Sequence, residues 1–97
     1  MVITAGFTRG NGLRQAMLDA AKPYLFRIIG PNTLGLMIPQ IKLNASFAHM
    51  AAKSGKIALL SQSGAIATSL VDWAADNGVG FSHIVSLGDM ADVDAGD

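Results

Sequence analysis

The residues best suited to chemistry stand in one short turn, Ser61-Gln62-Ser63-Gly64, between a strand candidate and a helix candidate. The first N–H groups of a helix lack partners and the dipole is positive there, so this end favours phosphate or a carboxylate. Ser61 or Ser63 can cap the helix or bond the anion, and Gly64 lets a ligand approach the backbone closely. The alternative is an ordinary serine N-cap, which these residues taken alone favour. A hydrolase nucleophile at Ser63 is disfavoured, because the first glycine of G-x-S-x-G is absent.

Two further candidates are turns that follow strand candidates. The first, Gly30-Pro31-Asn32-Thr33-Leu34-Gly35, closes an apolar run, and the second, Thr4-Ala5-Gly6, ends a shorter run near the N-terminus. Ligands of open α/β sheets bind outside the carboxyl ends of strands, and the Asn32 amide offers both a donor and an acceptor there. The alternative is a turn that uses Pro31 and Asn32 for their backbone preferences, and the residues in isolation favour it.

Metal, thiol and nucleotide-loop chemistry have little support. The chain has no cysteine, and neither a Walker loop nor a G-x-G-x-x-G motif occurs. His49 and His83 have no partner ligands at metal spacing, so we expect no metal site, and His83 is expected to be a core histidine inside an apolar strand. Four aspartates near the C-terminus do not follow the EF-hand pattern and are interpreted instead as a solvated helix start: Asp89, Asp92, Asp94 and Asp97.

Composition favours a chain whose surface contacts other protein. Hydrophobic residues make up 51% of the 97 residues and charged residues 14%, against about a quarter charged in ordinary domains. We therefore expect either an oligomer or a piece of a larger protein. The net charge is zero and the basic residues are scattered, which argues against nucleic-acid binding. Apolar runs are too short for a membrane span, and the absence of a signal-like N-terminus favours a cytoplasmic location.

The elements that must position these candidates are predicted to form two consecutive β-α-β units. In the first, Val2-Ile3-Thr4 and Leu25 to Ile29 are strands, and the helix between them runs from Leu13 and ends near Lys22 because Pro23 follows. The stretch from 33 to 54 is predicted to be an ordered connection, with a possible short strand just before Pro39.

The second unit surrounds the serine turn. Ile57 to Leu60 is a continuous apolar run, typical of a parallel strand covered on both faces. A helix follows, then a strand from Phe81 to Leu87. The helix is expected to bury an apolar stripe formed by Ile66, Leu70, Trp73 and Ala74. The aspartates at the C-terminus suit the start of another helix, so we expect a truncated α/β domain.

Several blocks in order give a more specific indication than any one alone. They read V-I-T-A-G-F, R-I-I-G-P-N-T-L-G-L, N-A-S-F, G-K-I-A-L-L-S-Q-S-G-A, D-W-A and G-F-S-H-I-V-S-L-G-D. Over essentially the whole chain this order resembles the NDP-forming acyl-CoA synthetases. That superfamily includes the ADP-forming acetyl-CoA synthetases and the succinyl-CoA synthetase α subunit. The resemblance is closest to bacterial proteins that fuse this module to an acetyltransferase domain.

The resemblance implies a fold and a reaction. Residues 1–45 would be the C-terminal part of a CoA-binding Rossmann-like domain, 46–54 a connection, and 55–97 the start of a flavodoxin-like domain. The reaction would convert acyl-CoA, ADP and phosphate reversibly into acid, CoA and ATP through acyl phosphate and a phosphohistidine. Coenzyme A and phosphate would be ligands of this region, whereas ADP or ATP with magnesium would bind elsewhere in the parent protein.

The resemblance also implies roles for individual residues. The phosphate or phosphohistidine would be held by Ser61, Gln62, Ser63 and Gly64, which raises the anion interpretation above the plain cap. The thioester end of CoA would be lined by Thr4, Ala5, Gly6, Pro31 and Asn32. Ala5 stands where succinyl-CoA synthetases place Glu, which disfavours a dicarboxylate substrate.

The resemblance further implies which parts lie outside the sequence. The CoA-phosphate loop would precede Met1, the phosphorylated histidine would follow Asp97, and neither His49 nor His83 matches it. The partner would be the remainder of the synthetase or an ATP-grasp subunit, so the polypeptide alone is expected to lack ligase activity. Two alternatives stay open: a CoA-sensing regulatory region of a protein lysine acetyltransferase, and a non-enzymatic α/β interaction module.

Overall fold

A computed structural model describes all residues from 1 to 97. Six main elements follow one another along the chain: α1 (Leu13–Ala21), β1 (Gly35–Ile38), β2 (Leu43–Ser46), β3 (Ser54–Ser61), α2 (Gly64–Asp76) and β4 (Phe81–Ser86). Two short 3-10 helices, Lys22–Tyr24 and Pro39–Ile41, join them. No helix combines the length and apolar character needed to cross a membrane.

The four strands form one mixed sheet in the order β2-β1-β4-β3. β1 is antiparallel to both of its neighbours, whereas β3 and β4 are parallel and are connected through α2. The predicted α/β class and the second β-α-β unit are therefore confirmed.

Strand direction places the last residues of β2, β3 and β4 and the first residue of β1 at one edge of the sheet. Ser61 at the end of β3 pairs with Ser86 at the end of β4. Gly35, which begins β1, pairs with Ser46, which ends β2. We call this edge, formed by the last residues of β2, β3 and β4 and the first residue of β1, the carboxyl edge. The segments that enter or leave the sheet there are the ones able to form a common site.

The core lies between α2 and the sheet. Its buried cluster consists of Met37, Val71, Ala74, Phe81 and Ile84. Met37 comes from β1 and Ile84 from β4, so the cluster fastens the two central strands to the helix. Burial stabilises each of the four larger side chains by roughly 1.5–3 kcal/mol relative to exposure.

The inward face of α2 differs from the predicted one. The helix buries Ala67, Val71 and Ala74, a stripe of small residues at helical spacing. The larger side chains of the predicted stripe are exposed: Ile66 by 57%, Leu70 by 37% and Trp73 by 55%. Small residues let the helix axis approach the sheet closely, which turns the larger side chains away from it. Of the predicted stripe, only Ala74 is in the core.

β3 also differs from its prediction, because it is an outer strand of the sheet. Ile57 is 53% exposed and Leu60 57% exposed, so the strand is not covered on both faces. His83, expected in the core, is exposed as well. It pairs in register with Ala58 of β3, which is itself exposed. These residues leave apolar surface open, while the expectation of an oligomer stays a prediction.

The first half contains the predicted helix but not the two strands expected around it. Val2-Ile3-Thr4 and the segment from 25 to 29 are joined by a single hydrogen bond, from Val2 N to Ile29 O at 2.9 Å. A strand needs a repeated ladder of such bonds, which one pair does not supply. α1 ends at Ala21, beside the predicted Lys22. The connection contains β1 as predicted, and β2, which was not predicted.

The C-terminal aspartates do not begin a helix in this structure. Asp92 Oδ2 accepts a hydrogen bond from the Ile28 N–H at 2.6 Å, and Asp92 also pairs with Arg27. Asp97 Oδ1 accepts from Arg27 Nη2 at 2.8 Å. Asp92 and Asp97 therefore hold the C-terminal segment against residues 27 and 28.

Candidate functional site

The turn that leaves β3 uses both of its serine hydroxyls internally. Ser61 Oγ accepts a hydrogen bond from Ser63 N at 3.1 Å and donates one to Ser63 O at 2.9 Å. Ser63 is the N-cap of α2, and its Oγ accepts from Ile66 N at 3.3 Å. The cap interpretation is thus realised. An anion at this helix start would be held by backbone N–H groups.

The first backbone donors of α2 are available for such an anion. Helix geometry gives Gly64 N–H and Ala65 N–H no acceptor in a preceding turn, since Ala67 is the first residue to bond back, to Ser63 O at 3.1 Å. Gly64 also lies close to the chain that enters β1. A Cβ built on Gly64 would lie 3.2 Å from Leu34 Cβ, so a side chain would crowd this contact.

A cavity of about 430 Å³ opens beside these donors at the carboxyl edge. Its lining residues are Asn32, Thr33, Leu34, Phe47, Gln62, Ser63, Gly64, Ala65 and Thr68. The cavity therefore joins three predicted phosphate-binding residues to Asn32, which was predicted to lie at the thioester end of CoA.

Asn32 is held in place by two other parts of the chain. Its backbone has a φ of 57°, a left-handed conformation that asparagine adopts more readily than most residues. Its N–H donates to Thr4 O at 2.9 Å, and its side-chain Nδ2 donates to Asp89 Oδ1 at 3.2 Å. Thr4 therefore lies directly beside Asn32.

The remaining predicted site residues do not line the cavity. Thr4, Ala5 and Gly6 are exposed, and Thr4 Oγ1 accepts from Gly6 N at 3.1 Å. Pro31 is buried, and its carbonyl oxygen accepts from Asp89 N at 2.8 Å. Ser61 shapes the turn from below. CoA binding by Thr4, Ala5, Gly6 and Pro31 stays a prediction. Phosphate binding at the serine turn stays a prediction as well.

Three lining residues lie outside the candidate turns named from the sequence: Phe47, Ala65 and Thr68. Phe47 belonged to the N-A-S-F block, but nothing in that block says that the chain returns to the serine turn. Thr68 had a usable signal, because it stands four residues after Gly64 and so lies on the same helix face. Its Oγ1 donates to Gly64 O at 2.8 Å.

The end of β4 supports the loop that carries Asn32. Thr33 Oγ1 donates to Ser86 O, and Leu34 N donates to Ser86 Oγ at 3.1 Å. Gly88 follows with a φ of +62°, and a Cβ there would lie 2.2 Å from Pro31 O. Only glycine allows this close approach, so residues 86 to 88 fix the height of the loop above the sheet.

The electrostatics of the cavity come from dipoles, because none of its lining residues is charged. The donors of α2 and the positive end of its dipole make the turn attractive to an anion. The two groups with shifted pKa values lie elsewhere, in the pair Arg27 and Asp97. A hydrogen bond to Asp97 raises the pKa of Arg27, and a hydrogen bond from Asp94 N–H lowers the pKa of Asp97.

Comparison with known protein families places the second half of the chain in one of them. Residues 54–97 match the family described as the succinyl-CoA ligase like flavodoxin domain. The match includes β3, the serine turn, α2 and β4. This stretch of the chain belongs to that domain family.

Similarity to known ligases covers nearly the whole chain. An ADP-forming acetate–CoA ligase of Archaeoglobus fulgidus is 42% identical over 100% of this chain. An ADP-forming 4-hydroxybutyrate–CoA ligase of Nitrosopumilus maritimus is 46% identical over 94% of it. The chain spans only 15% and 14% of these relatives.

Solved structures agree with this relationship. A Candidatus Korarchaeum cryptofilum acetyl-coenzyme A synthetase, solved in complex with phosphate and ADP, superposes with a TM-score of 0.87 at 36% identity. The match covers 97% of this chain and 21% of that one. The resemblance to the NDP-forming acyl-CoA synthetases is confirmed, while fusion to an acetyltransferase and the division into 1–45, 46–54 and 55–97 stay predictions.

Proposed function

We propose that this chain is part of an NDP-forming acyl-CoA synthetase and supplies the site where phosphate meets the acyl thioester. The overall reaction interconverts acyl-CoA, ADP and phosphate with acid, CoA and ATP. The proposal is supported by relatives that are named as ADP-forming acid–CoA ligases. Coenzyme A and phosphate are the ligands proposed for this chain, and ADP with magnesium is proposed to bind elsewhere in the parent protein.

The chemistry at this site is transfer of an acyl group to phosphate. A phosphate oxygen attacks the thioester carbonyl, the carbon–sulfur bond breaks, and its electron pair leaves with the CoA sulfur. The product is an acyl phosphate. Gly64 and Ala65 would hold the phosphate through their N–H groups, and the Asn32 amide would bond the carbonyl oxygen.

One observation carries the proposal: Asn32 and the start of α2 line the same cavity. These two features come from distant parts of the sequence and were assigned to the two reacting partners separately. The cavity also has no charged lining residue that would repel phosphate. A ligand held at Gly64 can therefore lie within reach of a group held at Asn32.

The parent protein supplies the other steps in this proposal. The remainder of the synthetase, or a separate ATP-grasp subunit, would carry the nucleotide and the phosphorylated histidine. Two of the relatives, both from Pyrococcus furiosus, are named as α subunits of such ligases. The chain alone would bind ligands of the first half-reaction without completing the second.

Calorimetric titration with inorganic phosphate tests the proposal, using Ser63→Asp and Ser69→Asp as matched variants. Aspartate at Ser63 still caps α2, so stability should change by no more than about 0.5 kcal/mol. Its carboxylate would repel phosphate at Gly64, and affinity should fall by at least about tenfold. Ser69 is an exposed residue of α2, about 9 Å from Ser63 along the helix axis. This separation is close to the screening length at physiological salt, so a charge at Ser69 should affect the bound phosphate much less.

The expected pattern is saturable phosphate binding that Ser63→Asp weakens strongly and Ser69→Asp changes by less than about twofold. Equal losses in both variants would mean that only the net charge of the chain matters. That result, or the absence of saturable binding to the unmodified chain, would contradict phosphate binding at this turn.

A further inference from the structure

Phe47 is a large, exposed apolar side chain beside the cavity at the carboxyl edge. It is 66% exposed, yet it lines the cavity that holds the start of α2. Its backbone is not loose, because Phe47 N donates to Leu34 O at 3.2 Å immediately after β2. The sheet therefore fixes this aromatic residue at the carboxyl edge.

The segment after Phe47 is fastened as well. Ala48 N donates to Ser46 Oγ at 3.3 Å, and His49 Nε2 lies 2.8 Å from Asp72 Oδ1 of α2. Phe47 is thus tied on one side to β1 and on the other to the helix whose first residues face the cavity. A ring held in this way can gain contact area when a ligand enters.

The lining of the cavity separates into two kinds of surface. The polar part includes the Ser63-Gly64 turn, the Asn32 amide and the Gln62 amide, and the apolar part consists of Leu34, Phe47 and Ala65. No lysine, arginine or histidine lines it. A second carboxylate on a ligand would find no cation there, and leaving it unpaired would be costly.

We propose that Phe47 is a specificity-determining residue that contacts the acyl group and selects uncharged, apolar acyl chains. The inference rests on the proposed function, since it places the phosphate end of the ligand at Gly64. With the anionic end there, the organic end has Leu34 and Phe47 as its apolar neighbours. Apolar contact grows with chain length, whereas an acyl chain with a terminal carboxylate loses affinity.

Stable acyl phosphonates allow the test without hydrolysis. Acetylphosphonate, isovalerylphosphonate and succinylphosphonate would be titrated into the chain beside inorganic phosphate. The unmodified chain should bind isovalerylphosphonate about fivefold more tightly than acetylphosphonate, and succinylphosphonate most weakly of the three. Phe47→Ala should reduce the affinity for isovalerylphosphonate about fivefold and leave that for inorganic phosphate unchanged. The affinity of Phe47→Leu for isovalerylphosphonate should lie between that of the unmodified chain and that of Phe47→Ala.

Phe26→Ala is the matched control. Phe26 is 69% exposed, close to the 66% of Phe47, and it lines a different cavity. Phe26→Ala should leave the affinities for the three phosphonates, each relative to that for inorganic phosphate, unchanged. If phosphate binds but Phe47→Ala does not alter the ratio of isovalerylphosphonate to phosphate, the role of Phe47 is wrong and the proposed function stands. If neither phosphate nor any phosphonate binds, the proposed function itself is contradicted, and the role of Phe47 with it.

Discussion

At the scale of single residues, the serine turn contains the N-cap that its residue types alone favour. Both hydroxyls bond within the chain, Ser61 to the turn and Ser63 to the helix. The groups proposed to bind the anion are therefore the backbone N–H groups of Gly64 and Ala65. Residue types alone could locate the turn, but they could not show that its side chains were already occupied.

Gly88 carries a testable consequence at the same scale. Its φ of +62° and the 2.2 Å approach of a Cβ to Pro31 O both oppose any side chain. Gly88→Ala should lower the free energy of unfolding by about 2–4 kcal/mol, because strain and displacement of the Asn32 loop add together. Denaturant unfolding measures the loss, and phosphate titration should show weaker binding.

Gly78→Ala separates these two causes. Gly78 has a similar φ of +68°, but a Cβ there would meet nothing within 4 Å. Gly78→Ala should lower the free energy of unfolding by only the backbone strain, about 1 kcal/mol, and should leave the phosphate affinity unchanged. Equal losses in the two variants would show that contact between Gly88 and the Asn32 loop does not matter.

At the scale of elements, periodicity predicted some parts of the chain well and others poorly. The β3-α2-β4 unit followed from an apolar run, a serine cap and a second apolar run. The inward face of α2 did not, because hydrophobicity favoured Ile66 and Trp73 while close packing selected Ala67 and Val71. β2 was missed because it is only four residues long, and its burial does not follow its sequence: Leu43 and Asn44 are exposed, whereas Ala45 and Ser46 are half-buried.

The segment from 92 to 97 provides a prediction about pH. The Asp94 N–H and Arg27 together lower the pKa of Asp97 below its usual value near 3.8. Its contribution to holding this segment is therefore complete above that value and is lost as the pH falls through the lowered pKa. Carbon NMR of the carboxyl groups measures the titration, and the Ile28 amide signal reports release of the segment.

Arg27→Gln tests the cause of that shift. The pKa of Asp97 should rise towards its usual value but stay below it, because the hydrogen bond from Asp94 N–H remains at 2.9 Å. An unchanged titration in Arg27→Gln would show that the pair with Arg27 does not form in solution.

At the scale of the whole molecule, strand direction explains why distant blocks of sequence meet. β2, β3 and β4 end at the same edge at which β1 begins, so the residues after Ser46 and Ser61 converge with those before Gly35. The separate blocks could be named from the sequence and their order recognised. Their meeting in one cavity depends on β1 running antiparallel to β4, which no local pattern encodes.

If the start of α2 holds phosphate and Asn32 holds the acyl carbonyl oxygen in one cavity, a ligand that carries both groups must contact both places. Nitrogen-15 NMR of the unmodified chain, titrated with acetylphosphonate, measures this directly. We expect the backbone amides of Gly64 and Ala65 and the side-chain amide of Asn32 to shift together with one saturable affinity, while signals near Arg27 stay constant. Shifts confined to other parts of the chain, or different affinities at Gly64 and Asn32, would contradict it.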